Sequence, residues 1–376
     1  MTWRDGVHIT GTPLWCDARR RRDVCFVSSA DRIGRAGHGQ LIGTSITLAL
    51  LGARDQGQLA VPLRQRFTLG TVRLELIPSG RGFGAAALHV DITGKTVLYA
   101  GPVRSSTGGA GDPAELRTCD AVVVAAPYGE PHHRFPPLAD AIGATLDWAR
   151  AQLVADRTPV LLVDSVLDGL EVASVLAADG VAVAGGRALR DAGQRIADLV
   201  PQRLDAASAL ATTRMVDRTQ GGARGARAGG AVAMRARSGA GSPELPVPRA
   251  IGSDPALAAR RPAGLLAIAP PGREPRALVW LDGERAGLAR SLGERAFTTA
   301  LVSGRALAGT AGYDAGFVWP AAADRAQLLD WIEATSARDV FVTGVCADAI
   351  AGALGSRARV IGPPQQLALF PREAAR

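Results

Sequence analysis

The stretch Cys25-Phe26-Val27-Ser28-Ser29-Ala30-Asp31-Arg32-Ile33-Gly34-Arg35-Ala36-Gly37-His38-Gly39 decides how the rest of the chain is read. It opens apolar and β-prone, as the end of a buried strand does, then turns through Gly34, Gly37 and Gly39. A loop leaving a strand in this way is a common seat for metal ligands in α/β hydrolases. This one carries serines, an alanine, an arginine and an isoleucine where such ligands would stand.

Outward from that loop, the 376 residues suffice for two domains or for one large domain with an insertion. Apolar residues make up 47% and aromatic residues only 5%, so the core must be built from Ala, Val, Leu and Ile. No apolar run approaches the roughly 18 residues of a membrane span, and the N-terminus lacks a signal pattern, so a soluble cytoplasmic protein is expected. The four cysteines, Cys16, Cys25, Cys119 and Cys346, are widely spaced and read as reduced, buried small hydrophobes. A net charge of +8 fits an acidic partner such as DNA or RNA. Lys95 is the only lysine, so the excess is arginine, which also fits a GC-rich coding bias.

Residues 23–28, 45–51, 71–77, 87–92 and 96–100 read as short strands or apolar segments, with a tight hairpin turn at Thr93-Gly94-Lys95. Ala121-Val122-Val123-Val124 is a buried strand. From 137 the pattern becomes helix–strand alternation: helices at 137–154, 166–178 and 187–199, with strands at 159–163 and 181–184. That rhythm implies a parallel sheet and an α/β fold class. Residues 218–250 are rich in Gly, Ala, Arg and Ser and cannot pack a core, so they read as a disordered basic arm or a surface insertion. Order returns at 264–268, 277–281 and 297–303. Residues 316–319 lead into a helix at 323–335, followed by a strand at 339–343, a helix at 346–354 and a strand at 359–361.

In order and spacing, several stretches resemble the metallo-β-lactamase fold carrying a β-CASP insertion, and within it the bacterial ligase-associated DNA exonucleases. They are Arg35-Ala36-Gly37-His38-Gly39, Gly43 to Leu51, Cys119-Asp120, Tyr128-Gly129 with Arg134-Phe135-Pro136-Pro137, Gly316-Phe317-Val318 and Val340-Phe341-Val342-Thr343. The resemblance implies an αββα sandwich. Residues 1–145 would form its first part, 146–305 a β-CASP α/β insertion that includes 218–250, 306–361 the closing part, and 362–376 a tail. It also implies two zinc ions that generate hydroxide and clamp a phosphate. The positions that should hold them are Ser28, Ala30, Arg32 and Ile33 in the first loop, Arg81 after Pro78-Ser79-Gly80, Pro102, Ala125, Ala322 and Gly344. None of these is an ordinary zinc ligand. The resemblance therefore implies an inactive relative, a pseudoenzyme without metal or other cofactor. It would act as a nucleic-acid- or clamp-associated scaffold in DNA repair or replication. Two alternatives stay open: a hydrolase with a rearranged metal site, and an inactive subunit paired with an active paralogue.

The remaining charges and histidines offer other contacts. Arg32 and Arg81 fall where ligands would converge, and two guanidinium groups there would either grip a phosphate or pair with Asp17 or Asp31 and fill the space. The run Arg19-Arg20-Arg21-Arg22 is a second phosphate candidate. His132 and His133 are adjacent in a Pro-flanked loop, where neighbouring side chains tend to diverge. At the C-terminus, Gln366-Leu367-Ala368-Leu369-Phe370 looks like the bacterial sliding-clamp-binding peptide, in which Gln366 would bond the pocket rim while Leu367, Leu369 and Phe370 fill it. Deleting residues 365–376 is expected to abolish capture by immobilised sliding clamp without moving the melting temperature; undiminished capture would exclude the tail.

Overall fold

The structure, a computed structural model, describes residues 1–32, 37–52, 57–106, 110–197, 199, 268–272 and 276–363. By its contacts the chain divides into one unit of Met1–Ala197 with Gly264–Arg376 and another of Asp198–Ala263. Apart from Leu199, all described residues lie in the first unit. Ile33, the arm at 218–250, residues 264–267 and the clamp-like peptide at 366–370 lie outside the described residues.

The fold is mixed α/β, and its described strands form three sheets. The first follows chain order: β1 (Thr2–Trp3), β2 (Val7–His8), β3 (Leu14–Cys16), β4 (Val24–Phe26), β5 (Gln40–Gly43) and β6 (Gln58–Ala60). Next come β7 (Arg66–Leu69), β8 (Val72–Pro78), β9 (Ala86–Ile92) and β10 (Lys95–Gly101), an antiparallel meander, then β11 (Ala121–Ala125), parallel to β10. The two-residue turn expected at Thr93-Gly94 joins β9 to β10, with Ile92 opposite Lys95. A third, all-parallel sheet follows in the order β13-β14-β12-β15-β16, from β12 (Thr158–Val163), β13 (Val183–Gly185), β14 (Ala277–Leu281), β15 (Phe297–Val302) and β16 (Ala315–Phe317). Finally β17 (Asp339–Thr343) and β18 (Ala358–Val360) return to the second sheet beside β11.

Period-two alternation divides the second sheet between two cores. Leu74, Leu76, Leu88, Tyr99, Val123 and Phe341 meet Ile9, Leu14, Phe26 and Ile42 of the first sheet. On the opposite face Ile77, Leu98, Val122, Val124, Val340 and Val342 pack on Leu328, Trp331, Ile332 and Ile350, from the helices Arg325–Ala334 and Ala347–Leu354. The Val-Val-Val run of β11 is apolar on both faces because both are covered.

Four further helices place the loops. Helix α1 (Ser45–Leu51) corrects the reading of 45–51 as a strand or apolar segment. Thr44 caps it by accepting from the Thr47 amide, and Gly52 ends it in the left-handed region. This punctuation outweighs the β-leaning composition of so short a run. Helix α2 (Leu138–Val154) runs unbroken through residue 146, where the insertion was expected to begin. Helices α3 (Val166–Ala178) and α4 (Arg187–Ala197) alternate with the strands of the third sheet, as the sequence rhythm implies. All four cysteines are buried with free thiols, and burial pushes Cys25 up to about 12 and Cys119 up to about 11, which leaves them unreactive. Among the described residues no helix is long and apolar enough to cross a membrane.

One close approach fixes the geometry used below. Gly80, φ +78°, follows β8 so tightly against the chain after β10 that an added Cβ would lie 1.8 Å from the Arg104 carbonyl oxygen. The Arg104 amide donates to the Ser79 carbonyl at 3.0 Å, holding the two loops side by side. Gly80→Ala is therefore expected to cost more than the ~1–3 kcal/mol of left-handed strain alone, because backbone must also move. Urea unfolding measures this, and a loss under about 1 kcal/mol would contradict the packing.

Candidate functional site

The loops singled out in the sequence follow the C-terminal ends of β4, β8, β10, β11 and β17, and several of them meet. Asp31 reaches Arg81, and an added Cβ at Gly101 would stand 3.0 Å from Ser28 Oγ. The Ala323 amide donates to the Val103 carbonyl at 2.6 Å, bringing the Pro320–Asp324 loop to the 101–104 loop. Gly344, φ +103°, is pressed against Ala126, where an added Cβ would lie 2.9 Å from the carbonyl oxygen. Ser28, Arg32, Arg81, Pro102 and Ala322 thus belong to one neighbourhood. Ala125 and Gly344 adjoin at the ends of the paired strands β11 and β17.

Asp17 is the hub of the first loop. Its carboxylate accepts from the Ser28 amide (2.8 Å), the Ser28 hydroxyl (2.6 Å), the Tyr99 hydroxyl (2.8 Å) and Arg32 Nε (3.4 Å). Burial, and then the Asp17 charge, push the Tyr99 phenol well above its ordinary value, so it remains a donor. Ser28 is therefore a structural donor to Asp17.

Arg81 is 5% exposed and faces two carboxylates. Nη1 donates to Asp168 Oδ1 at 2.8 Å and Nη2 to Asp31 Oδ2 at 2.7 Å, with further bonds from Nη2 to Asp168 Oδ2 and the Ser165 hydroxyl. Burial opposes the charge on Arg81, but Asp168 and Asp31 outweigh it and keep the guanidinium protonated. Burial alone would likewise raise the Asp31 carboxyl; Arg81, the Ser29 hydroxyl and Arg32 hold it below the usual carboxylate range instead.

A second pair stands one turn further along α3. Arg104 donates bidentately to Glu171, Nη2 to Oε1 at 2.6 Å and Nη1 to Oε2 at 3.0 Å, with both side chains 1% exposed. Glu171 also accepts from Trp319 Nε1 (3.1 Å) and the Ala110 amide (2.7 Å), and Arg104 Nη1 reaches the Pro320 carbonyl (3.0 Å). Against burial, which would raise it, Arg104 chiefly holds the Glu171 carboxyl low. Nothing in the local sequence around Arg104, Glu171 and Tyr99 assigns them a role. The available signal was a pair of acids, Asp168 and Glu171, inside an otherwise apolar helix, since a buried charge requires a partner.

These residues do not fit a pair of zinc ions. At the described positions the resemblance marks stand a hydroxyl, two guanidinium groups, a proline ring, methyl groups and a glycine, and the nearest carboxylates already accept hydrogen bonds from arginine. Among the described residues no three His, Cys, Asp or Glu side chains converge for a metal. A cavity of about 320 Å³ does open beside Ala30 and Asp31, lined also by Leu50, Val166, Leu167 and Arg195.

Arg19–Arg22 enter β4 at the end opposite this neighbourhood. Arg20 pairs with Asp5 at 3.0 Å, and Arg22 lies 3.9 Å above the Trp15 ring, while Arg19 and Arg21 are exposed. His132 and His133 do not diverge as expected: a turn that returns the His133 amide to the Glu130 carbonyl brings their ring centres to 4.3 Å.

No family model matches this chain. Over 161 residues, 42% of its length, it is 26% identical to a probable DNA ligase of Opitutus terrae, and that stretch spans 16% of the relative. It is similar in fold to a crystal structure of a protein of unknown function from Enterococcus faecalis V583, with a TM-score of 0.50 and 11% identity over 90% of this chain and 79% of that one.

The ion pairs generate a stability prediction. Arg104→Met or Glu171→Leu alone is expected to cost about 3–5 kcal/mol by leaving a buried charge unpaired, and the double variant much less. Because Asp31 and Glu171 have lowered folded values, their contribution is complete above the unfolded values near ~4 and is lost as pH falls through the folded ones. The contribution of these two carboxylates should therefore be level above about pH 5 and shrink below about pH 4, the loss being smaller in the double variant, which lacks Glu171. Equilibrium unfolding against pH measures both; additive single losses would contradict the pairing.

Proposed function

We propose that this protein is a non-hydrolytic, DNA-associated relative of the metallo-β-lactamase-fold exonucleases, with a β-CASP-like insertion. The reading rests above all on Arg81, a buried guanidinium bonded to Asp31 and Asp168 at a position where the resemblance places a metal-binding histidine. Such a group supplies positive charge and geometry but no water-activating centre. A phosphate could reach Arg81 only by displacing a carboxylate, so the phosphate-gripping role weighed for Arg81 gives way to structural pairing; Arg32, tied more loosely to Asp17 and about a third exposed, keeps that role open.

The partial likeness to a probable DNA ligase supports an association with DNA, as does the net charge of +8. It does not extend to ligation by this chain. Nucleotidyl transfer through a lysine nucleophile has one candidate, Lys95, and that residue is exposed at the start of β10. The layered sheets, with the third sheet following α2, support the sandwich-plus-insertion architecture. The sequence of the tail supports delivery by a sliding clamp, and pairing with an active paralogue is the remaining partner the resemblance offers.

The decisive experiment measures bound metal by elemental analysis after purification in zinc- or manganese-supplemented medium, alongside exonuclease assays on single- and double-stranded DNA. The expected result is no stoichiometric metal and no cleavage, with salt-sensitive DNA binding retained. Metal near two equivalents together with turnover would establish a rearranged hydrolase instead.

A further inference from the structure

The loop from Tyr128 to Phe135 holds an unusual share of the chain's rings. In a protein with only 5% aromatic residues, Tyr128, His132, His133 and Phe135 fall within eight positions, and Arg134 lies among them. The rings form one contiguous group. Tyr128 meets His133 edge-on at 5.5 Å and Phe135 at 4.7 Å, while His132 lies against His133 at 4.3 Å and 51°. Core packing does not account for all of it: His132 and Arg134 are exposed, and His133, Tyr128 and Phe135 are only partly covered.

The His133 ring and the loop backbone are also anchored. His133 Nδ1 accepts from the Gly129 and Glu130 amides at 3.1 and 3.2 Å. The Phe135 amide donates to Asp324 Oδ2 at 3.1 Å, and Arg325 Nη1 donates to the Gly129 carbonyl at 2.7 Å. Pro127, Pro131, Pro136 and Pro137 limit the backbone further. Burial, and then His132, keep His133 below its ordinary value, so near neutral pH it presents an uncharged ring. An aromatic step anchored at His133, with an exposed arginine next to it in sequence, suits an unpaired nucleobase and its phosphate, because every base has a π-face and part of the ordering cost is already met.

We propose that the Tyr128–Phe135 loop is a stacking platform for single-stranded DNA, seating a nucleobase on the His132–His133 step with Arg134 beside the neighbouring phosphate. This rests on the DNA-associated reading and adds to it a contact surface and a strand preference that are independent of Arg81 and of any hydrolysis.

The test compares two fluorescein-labelled strands of equal length and charge, oligo-dT and its abasic analogue, binding the full chain by anisotropy at fixed salt. The platform predicts that dT binds about tenfold tighter than the abasic strand. His132→Ala, at an exposed position, should leave the melting temperature unchanged and reduce that ratio several-fold, and His132→Tyr should restore it. Equal binding of the two strands would overturn the platform while leaving DNA association standing. No binding of either strand would overturn both.

Discussion

Asp168 and Glu171 stand three residues apart on α3, and each receives a buried guanidinium, Arg81 or Arg104, from a loop of the second sheet. These bonds fix how the helix after β12 meets the ends of β8 and β10. They depend in turn on backbone contact, because Arg81 and Arg104 reach the same helix only while their loops run side by side at Gly80. Removing one partner leaves a charge in a dry interior, so the pairs are far more costly to break than they are stabilising when whole. The arrangement therefore specifies one packing of helix on loop and penalises the others.

The same physics bears on chemistry. A hydrolytic metal centre needs ligands with free lone pairs, an open coordination position and water. The neighbourhood of Asp17, Asp31 and Asp168 has carboxylates whose oxygens accept from hydroxyl, amide and guanidinium donors. Arginine here does part of what a cation does, neutralising several acids at once, but its planar fork offers only donors. The result is charge balance among these acids.

Much of the architecture was legible in the sequence because it is written in local patterns. The hairpin at Thr93-Gly94, the buried Val-Val-Val strand and the helix–strand rhythm after 137 each rest on period and turn chemistry, and each lies close to where it was read. Residues 45–51 were harder. After Ser45, six apolar and β-branched residues carry no decisive period, and the Thr44 and Gly52 caps settled the matter. The site was partly legible: the positions of Arg32 and Arg81 imply either a phosphate grip or pairing with Asp17 or Asp31, and the structure has both pairings. The pairing of Arg81 with Asp168 on α3 is not legible, because residues 81 and 168 are joined by no local pattern.

The sequence by itself determined the types of side chain on the loops, and so fixed that serine, arginine, proline, alanine and glycine occupy the positions where the resemblance calls for ligands. It also determined the alternation that sorts the second sheet between two cores. Only the tertiary structure decided what those side chains do. Whether Arg81 is a free cation or a buried strut depends on which acids lie within 3 Å of it, and that follows from sheet register and helix packing across long stretches of chain. Whether the His132 and His133 rings part or meet depends likewise on a single turn closed between Glu130 and His133.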